Sequence, residues 1–310
     1  MEIQYVNWVF FGTIIITLLI LDLGLFNKKN HVMTFKQSAI LSIFYISIGC
    51  LFGLYVYFSI GPIEARDYFT GFLLEKAMAL DNIFVISMIF TFFKIPPQYQ
   101  HRVLFYGIAG VIILRAILIA LGAAILAKFA WVLFVFAAIL IFTGFKMLMT
   151  VNSRSLNIDD LYIYKLAKRK LNIQEEFDGD KFLVRKEGKI FFTPLFAALI
   201  TVEAMDLIFA IDSVPAIFAV TQNSFIVYSS NIFAILGLRA LFFCLSDIVE
   251  RFKYIKYSLA LILILIGIKI FVAHYISIPA YVPLVVIFLL LLAGIAFSLY
   301  KDTKNSKLVN

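Results

Sequence analysis

The sequence predicts an all-α fold, a polytopic transmembrane helical bundle of about nine spans with an inverted repeat of three-helix units. Composition is the first observation behind it. Of 310 residues, 63% are hydrophobic and 15% charged, with a mean hydropathy of +0.99, which excludes a soluble domain with a large core. The second is a series of apolar runs long enough to cross a bilayer, at 8–26, 38–60, 70–93, 102–127, 129–149, 194–220, 228–247, 255–275 and 280–300. The third is a set of polar landmarks that recurs in one order in two halves of the chain.

Five segments follow: a two-span N-terminal segment (1–69), a first three-span unit (70–149), a cytoplasmic loop (150–192), a second three-span unit (193–275), and a last span with its tail (276–310). No short apolar stretch with a small-residue cleavage site stands at the start, so the first span is expected to stay. In the loop, 159–171 reads as a short amphipathic surface helix. Lys181–Arg185 and Lys189–Thr193, flanking Lys186-Glu187-Gly188, read as a β-hairpin. Thr193-Pro194 then opens a helix, where proline's missing N–H costs nothing.

The +8 net charge is a topology signal rather than a nucleic-acid footprint. Twenty of the 27 basic residues fall in alternate connections and the tail, nine of them in 150–192, whereas the opposite connections hold only Arg66 and Lys128. The positive-inside rule then puts the N-terminus outside and the C-terminus in the cytoplasm. Cys50 and Cys244 both lie in apolar runs and support neither a disulfide framework nor a thiolate metal site.

The repeat is read from residues. Glu75 and Asp81 superimpose on Asp206 and Asp212 at a constant offset of 131, and Arg115 aligns with Arg239 at 124. Leu140-Ile-Phe-Thr-Gly144-Phe-Lys146 matches Leu263-Ile-Leu-Ile-Gly267-Ile-Lys269 at 123. A unit of three spans enters the membrane in opposite directions in its two copies, which is the arrangement of secondary transporters with a site at the repeat interface.

The candidate site is a set of acids in apolar runs: Glu75, Asp81, Glu203, Asp206 and Asp212. Each ionised carboxylate at bilayer depth costs at least about 2.5 kcal/mol, so five of them point to a bound cation. Residues six apart on a helix differ by roughly 9 Å in height and 120° in direction, so partners are expected across the repeat: Asp81 level with Asp206 near the midplane, Glu75 level with Asp212 further out. Pro215 should kink or unwind its helix beside Asp212, freeing a carbonyl. Asn82 and Ser213 add neutral oxygens. This all-oxygen set suits Mg²⁺, Ca²⁺ or Mn²⁺. The bland alternative is neutralisation of the acids by Lys76, Arg115, Lys146, Arg239 and Lys269, with Arg115 and Arg239 the central, buried pair. Asp22, near the inner end of the first span, caps its helix or faces the cytoplasmic mouth.

These residues resemble the TerC (tellurium-resistance C) integral membrane family, in its Alx-type branch. Glu75-Lys-Ala-Met-Ala-Leu-Asp81-Asn82-Ile-Phe is similar to the family's first signature. Glu203-Ala-Met-Asp206-Leu-Ile-Phe-Ala-Ile-Asp212-Ser213-Val-Pro215-Ala-Ile-Phe is similar to its second, continued by Asn231-Ile-Phe-Ala-Ile-Leu-Gly237-Leu-Arg239. Asp22-Leu-Gly-Leu-Phe26 and the Gln100–Phe105 stretch with Arg115 also fit. Lys76 and Met78 depart from the small residues that the family usually places between the first two acids. The resemblance implies a membrane protein whose better-understood members export manganese, near the lysine-exporter and cation-exporter superfamily.

The expectation is therefore a bacterial inner-membrane exporter of divalent cations, Mn²⁺ first with Ca²⁺ and Mg²⁺ open, working by alternating access. Asp81, Asp206 and Asp212 would coordinate the ion, with Glu75 and Glu203 as entry, exit or proton-coupling groups. Carboxylates in low dielectric can exchange a metal for protons. The chain is not expected to be an enzyme or to carry a permanent cofactor: Gly-x-Ser-x-Gly and His-Glu-x-x-His motifs are absent. The partners are the lipid bilayer, the cation and protons, not nucleic acid. The alternative is a membrane-embedded accessory factor for metal loading or for metal or tellurite stress, which would use the 150–192 loop and move no ion.

Overall fold

The computed structural model describes residues 2–26, 34–129, 131–150, 177–186, 189–245, 254–272 and 281–309. The surface helix expected at 159–171 lies outside them. The helices are α1 (Glu2–Phe26), α2 (Phe35–Ser59), α3 (Pro62–Phe92), α4 (Pro97–Lys128), α5 (Val132–Thr150), α6 (Pro194–Phe218), α7 (Ser224–Leu236), α8 (Leu238–Leu245), α9 (Ile255–Val272) and α10 (Tyr281–Val309). Among the described residues, eight units are long and apolar enough to cross a membrane: α1, α2, α4, α5, α6, α7 with α8, α9 and α10. The protein is thus a polytopic all-α membrane protein. The ninth expected span, α3, has 31 residues but carries Glu75, Lys76 and Asp81 in its central stretch. It packs against α2, α6, α7 and α10, and that enclosure is what lets a span hold charge away from lipid.

Local sequence sets most boundaries. Thr34 caps α2 with a reciprocal box, its hydroxyl accepting from the Gln37 N–H while the Gln37 side chain accepts from the Thr34 N–H. Pro62, Pro97 and Pro194 open α3, α4 and α6 at positions whose N–H would be unsatisfied in any case. The hairpin forms as expected, with β1 (Leu183–Lys186) antiparallel to β2 (Lys189–Phe192). It leads directly into α6, and the Thr193 hydroxyl donates to the Lys181 and Phe182 carbonyls.

Two expectations are corrected. The helix does not unwind at Pro215, since α6 continues to Phe218. Pro215 stands close to the helix end, where few further bonds depend on it, and the Ala219 N–H still reaches the Pro215 carbonyl. The interruption falls instead in the expected 228–247 span, which breaks at Gly237 into α7 and α8. The other correction is length: α3 begins at Pro62, not at 70, because Gly61-Pro62 supplies the start and Glu64 favours the N-terminal dipole.

The closest helix pairing is α5 with α9. A Cβ on Gly144 would lie 2.6 Å from Ile264 Cγ1 and 2.7 Å from the Ala260 carbonyl oxygen. A Cβ on Gly267 would lie 2.6 Å from Ile141 Cγ1 and 2.7 Å from the Ala137 oxygen. The two sets of contacts coincide at the same offset of 123, with the helices antiparallel. Small residues at such a crossing let backbones touch, which drives helix association where lipid removes the hydrophobic incentive. The correspondence extends outward, α3 packing on α7 as α6 packs on α4.

Gly144→Ala and Gly267→Ala should each cost about 1–3 kcal/mol through overpacking, read as a lower unfolding midpoint in detergent. Gly12→Ala on α1, whose added Cβ meets nothing within 4 Å, should not destabilise.

Candidate ion site

The polar centre is built where α3, α4, α6 and α7 meet. Arg115, midway along α4, is fully buried. Its Nη2 lies 3.0 Å from Glu75 Oε1 on α3, and its Nε 3.5 Å from Asp206 Oδ2 on α6. Its Nη1 donates to the Ser213 hydroxyl at 2.6 Å. Asn231 on α7 donates its amide to Glu75 Oε2 at 3.0 Å, and Asn82 on α3 reaches Asp206 Oδ1 at 3.5 Å. Glu75, Asn82, Asp206, Ser213 and Asn231 are all buried. One planar guanidinium, with five donors in a fork, thus ties an acid from each half of the chain.

One link crosses the expected layers: Arg115 joins Glu75, placed further out, to Asp206, placed near the midplane, and it also bonds Ser213, next to Asp212. The earlier start of α3 moves Glu75 close to the middle of its helix, and Asp206 is at the middle of α6. For Asp81 and Asp212 the description covers the backbone alone. Asp81 precedes Asn82 and Asp212 precedes Ser213, so each adjoins a member of the network along the chain.

A cavity of about 20 Å³, room for about one water, opens beside this network. Asn82, Asp206, Leu104, Gly107, Met205 and Leu238 are among its lining residues. Glu203, one turn before Asp206, lies against α4. A Cβ on Gly110 would run into the Glu203 carboxylate, so the absence of a side chain there is what admits the acid. Three buried oxygens around the centre accept no hydrogen bond: Asn82 Oδ1, Glu203 Oε2 and Asn231 Oδ1. Asp206 Oδ2 faces only the Arg115 Nε at 3.5 Å, and the Nε and Nη2 of Arg115 make ion pairs without a hydrogen bond. Buried oxygens without donors are costly, and either a water or a hard cation would satisfy them. Among the described residues, no three His, Cys, Asp or Glu side chains gather tightly enough to cage a metal.

The other sequence candidates go elsewhere. Asp22 neither caps α1 nor faces an open mouth: it is buried, ion-paired with Arg239 of α8, and accepts from the Tyr45 hydroxyl of α2 at 3.1 Å. Lys76 turns away from Glu75 and donates to the Ala234 carbonyl of α7 at 2.7 Å. Pro215 lies buried in α6, outside the network. Tyr45 and Asn231 carried no expected role. The run Ser229-Ser230-Asn231, three polar residues in an apolar span, was the available signal for Asn231; nothing in the sequence marks Tyr45.

The sequence model of the family described as "Integral membrane protein TerC family" matches residues 60–306. An uncharacterised membrane protein of Rickettsia felis is 60% identical over 295 residues, covering 95% of this chain and 98% of its own. One from Myxococcus xanthus is 44% identical, covering 95% and 92%. Alx of Escherichia coli, whose name describes a membrane-bound redox modulator, is 39% identical over 309 residues, covering 97% and 96%. No solved structure matches the chain.

Arg115→Met should cost about 3–5 kcal/mol, because it leaves Glu75 and Asp206 buried without their cation. Unfolding in mixed detergent measures the loss. Adding Glu75→Gln should return part of it, whereas additive losses would show that the two side chains do not interact.

Proposed function

This chain belongs to the TerC family of integral membrane proteins, and on that premise we propose that it exports divalent metal cations, Mn²⁺ foremost, through the carboxylate site between its two three-span units. The observation that carries the reading is the group of four buried oxygens around Arg115: Asn82 Oδ1, Glu203 Oε2 and Asn231 Oδ1 accept no hydrogen bond, Asp206 Oδ2 meets only the Arg115 Nε at 3.5 Å, and Asn82 and Asp206 also line the cavity. All are hard donors of the type that Mn²⁺ accepts. With their carboxylates ionised, Glu75, Glu203 and Asp206 carry three negative charges against the single positive charge of Arg115. The surplus matches one divalent cation. Asp81 and Asp212 adjoin the network and would complete the coordination as the ion passes.

The mirrored Gly144 and Gly267 contacts support reading the two units as inverted copies. The α5–α9 seam then forms the axis about which the halves rock, exposing the centre to one side and then the other. Arg115 has a definite part in that cycle. It keeps Glu75 and Asp206 from repelling each other when the site is empty, and its bond to Ser213 anchors the guanidinium to α6. When the cation leaves, protons on the carboxylates would reset the charge. In this reading the membrane is the bacterial cytoplasmic one with the N-terminus outside, and the concentration of Lys and Arg in alternate connections supports that orientation.

Purified protein in vesicles should take up Mn²⁺ down its gradient. Asp206→Asn should slow uptake about tenfold or more, the effect of about 1.4 kcal/mol on the limiting step. Vesicles that take up no Mn²⁺ with the native protein, or equal uptake with Asp206→Asn, would leave the accessory-factor reading in its place.

A further inference from the structure

The cavity has a second arginine on its other flank, and that arginine is held differently. Leu238 lines the cavity. The next residue, Arg239, is buried and pairs with Asp22. Asp22 in turn accepts from Tyr45, so α1 and α2 together grip α8. Both α1 and α2 lie outside the two three-span units. Arg115 holds one acid from each unit, whereas its counterpart Arg239 pairs with Asp22, which lies outside both. The Asp22 pair falls just past an interruption: Gly237 separates α7 from α8, and a Cβ there would sit 3.1 Å from Tyr45 Cβ. A short helix behind a break can swing independently of the rest of its span, and here it carries a wall of the cavity.

The placement defines a side. Asp22 stands near the end of α1, and Arg239, at the start of α8, in the last third of the Ser224–Leu245 span. The cavity residues Leu104 and Val202 lie in the first turns of α4 and α6, and Val85 and Ile86 in the last turns of α3. All these helix ends adjoin the connections rich in Lys and Arg. Glu75 and Arg115 lie deeper.

We propose that Asp22, Tyr45 and Arg239 form the inner gate of the ion path. While the three are joined, α8 is clamped against α1 and α2 and the cavity is closed to the basic side. When Arg239 leaves Asp22, α8 turns about Gly237 and Leu238 withdraws from the cavity wall. The N-terminal pair of helices is then a working part of the transporter, supplying the latch that the repeated units lack. The proposal rests on the export reading for its purpose, but its geometry can be tested without any flux.

The test uses the full chain with Cys50 and Cys244 replaced by alanine and one cysteine introduced at Val85 in the cavity wall. A membrane-impermeant maleimide is added to inside-out vesicles, which present the basic side. Asp22→Asn should raise the labelling rate at least about fivefold, the effect of an equilibrium shifted by about 1 kcal/mol. Tyr45→Phe should raise it less, and Asp22→Glu should keep the parent rate. Labelling of Asp22→Asn within twofold of the parent overturns the gate. Should Asp22→Asn fail to accumulate in the membrane, Tyr45→Phe decides alone: a raised rate supports the gate and the parent rate overturns it. Mn²⁺ uptake by the same parent vesicles separates the two ideas. Uptake with unchanged labelling removes the gate and leaves export standing; raised labelling without parental uptake removes export and leaves a gate on a path for another solute.

Discussion

The molecule is organised around the need to bury one guanidinium. Arg115 sits at the centre of a membrane helix with no exposure, where an isolated charge is among the most expensive groups a span can carry. It is tolerable only if carboxylates and hydroxyls surround it at short range. Those partners come from helices distant in sequence, Glu75 on α3 and both Asp206 and Ser213 on α6. Closing the network therefore fixes how α3, α4 and α6 pack, and Asn231 draws in α7 through Glu75. Breaking the network would strand buried charges, so the halves are coupled through it more strongly than apolar packing alone would couple them.

The remaining charges follow from that arrangement. One arginine set against two ionised acids leaves a surplus negative charge at the centre. Arg239 could in principle enter the same centre, since its neighbour lines the cavity, but Asp22 engages it from outside the repeated units. Lys76 is likewise drawn off to the Ala234 carbonyl, next to the break at Gly237. Lys76 and Arg239 are thus both engaged by groups other than Glu75 and Asp206. The glycine seam between α5 and α9 serves the opposite purpose: it is apolar and closely fitted, suited to holding a fixed axis while the polar centre changes partners.

Much of the architecture was legible because it follows from short-range chemistry. Long apolar runs gave the spans, proline and threonine gave helix starts, and alternating residues about Lys186-Glu187-Gly188 gave the hairpin. The buried arginines stood out as charges that lipid cannot solvate. What was not legible depends on tertiary partners. That Arg115 would tie Glu75 to Asp206 was not legible, because the three lie on three different helices. Gly237 looked like any glycine in a span, while Pro215, the stronger breaker on paper, is tolerated near a helix end. Asp22 had two local readings, and its actual partner Arg239 lies far along the chain. Tyr45 became visible only once that pair was closed.

The central claim is that the site flanked by Arg115 holds one divalent cation, and direct binding tests it most plainly. Free aqueous Mn²⁺ has a strong electron paramagnetic resonance signal that broadens away on coordination to protein. Titrating purified protein with Mn²⁺ should consume about one equivalent of that signal per chain, because one guanidinium against three carboxylates leaves charge for one divalent ion. Asp206→Asn should abolish the uptake while Gly12→Ala leaves it intact. Native protein that consumes no signal, or Asp206→Asn that consumes as much as native, would contradict the account.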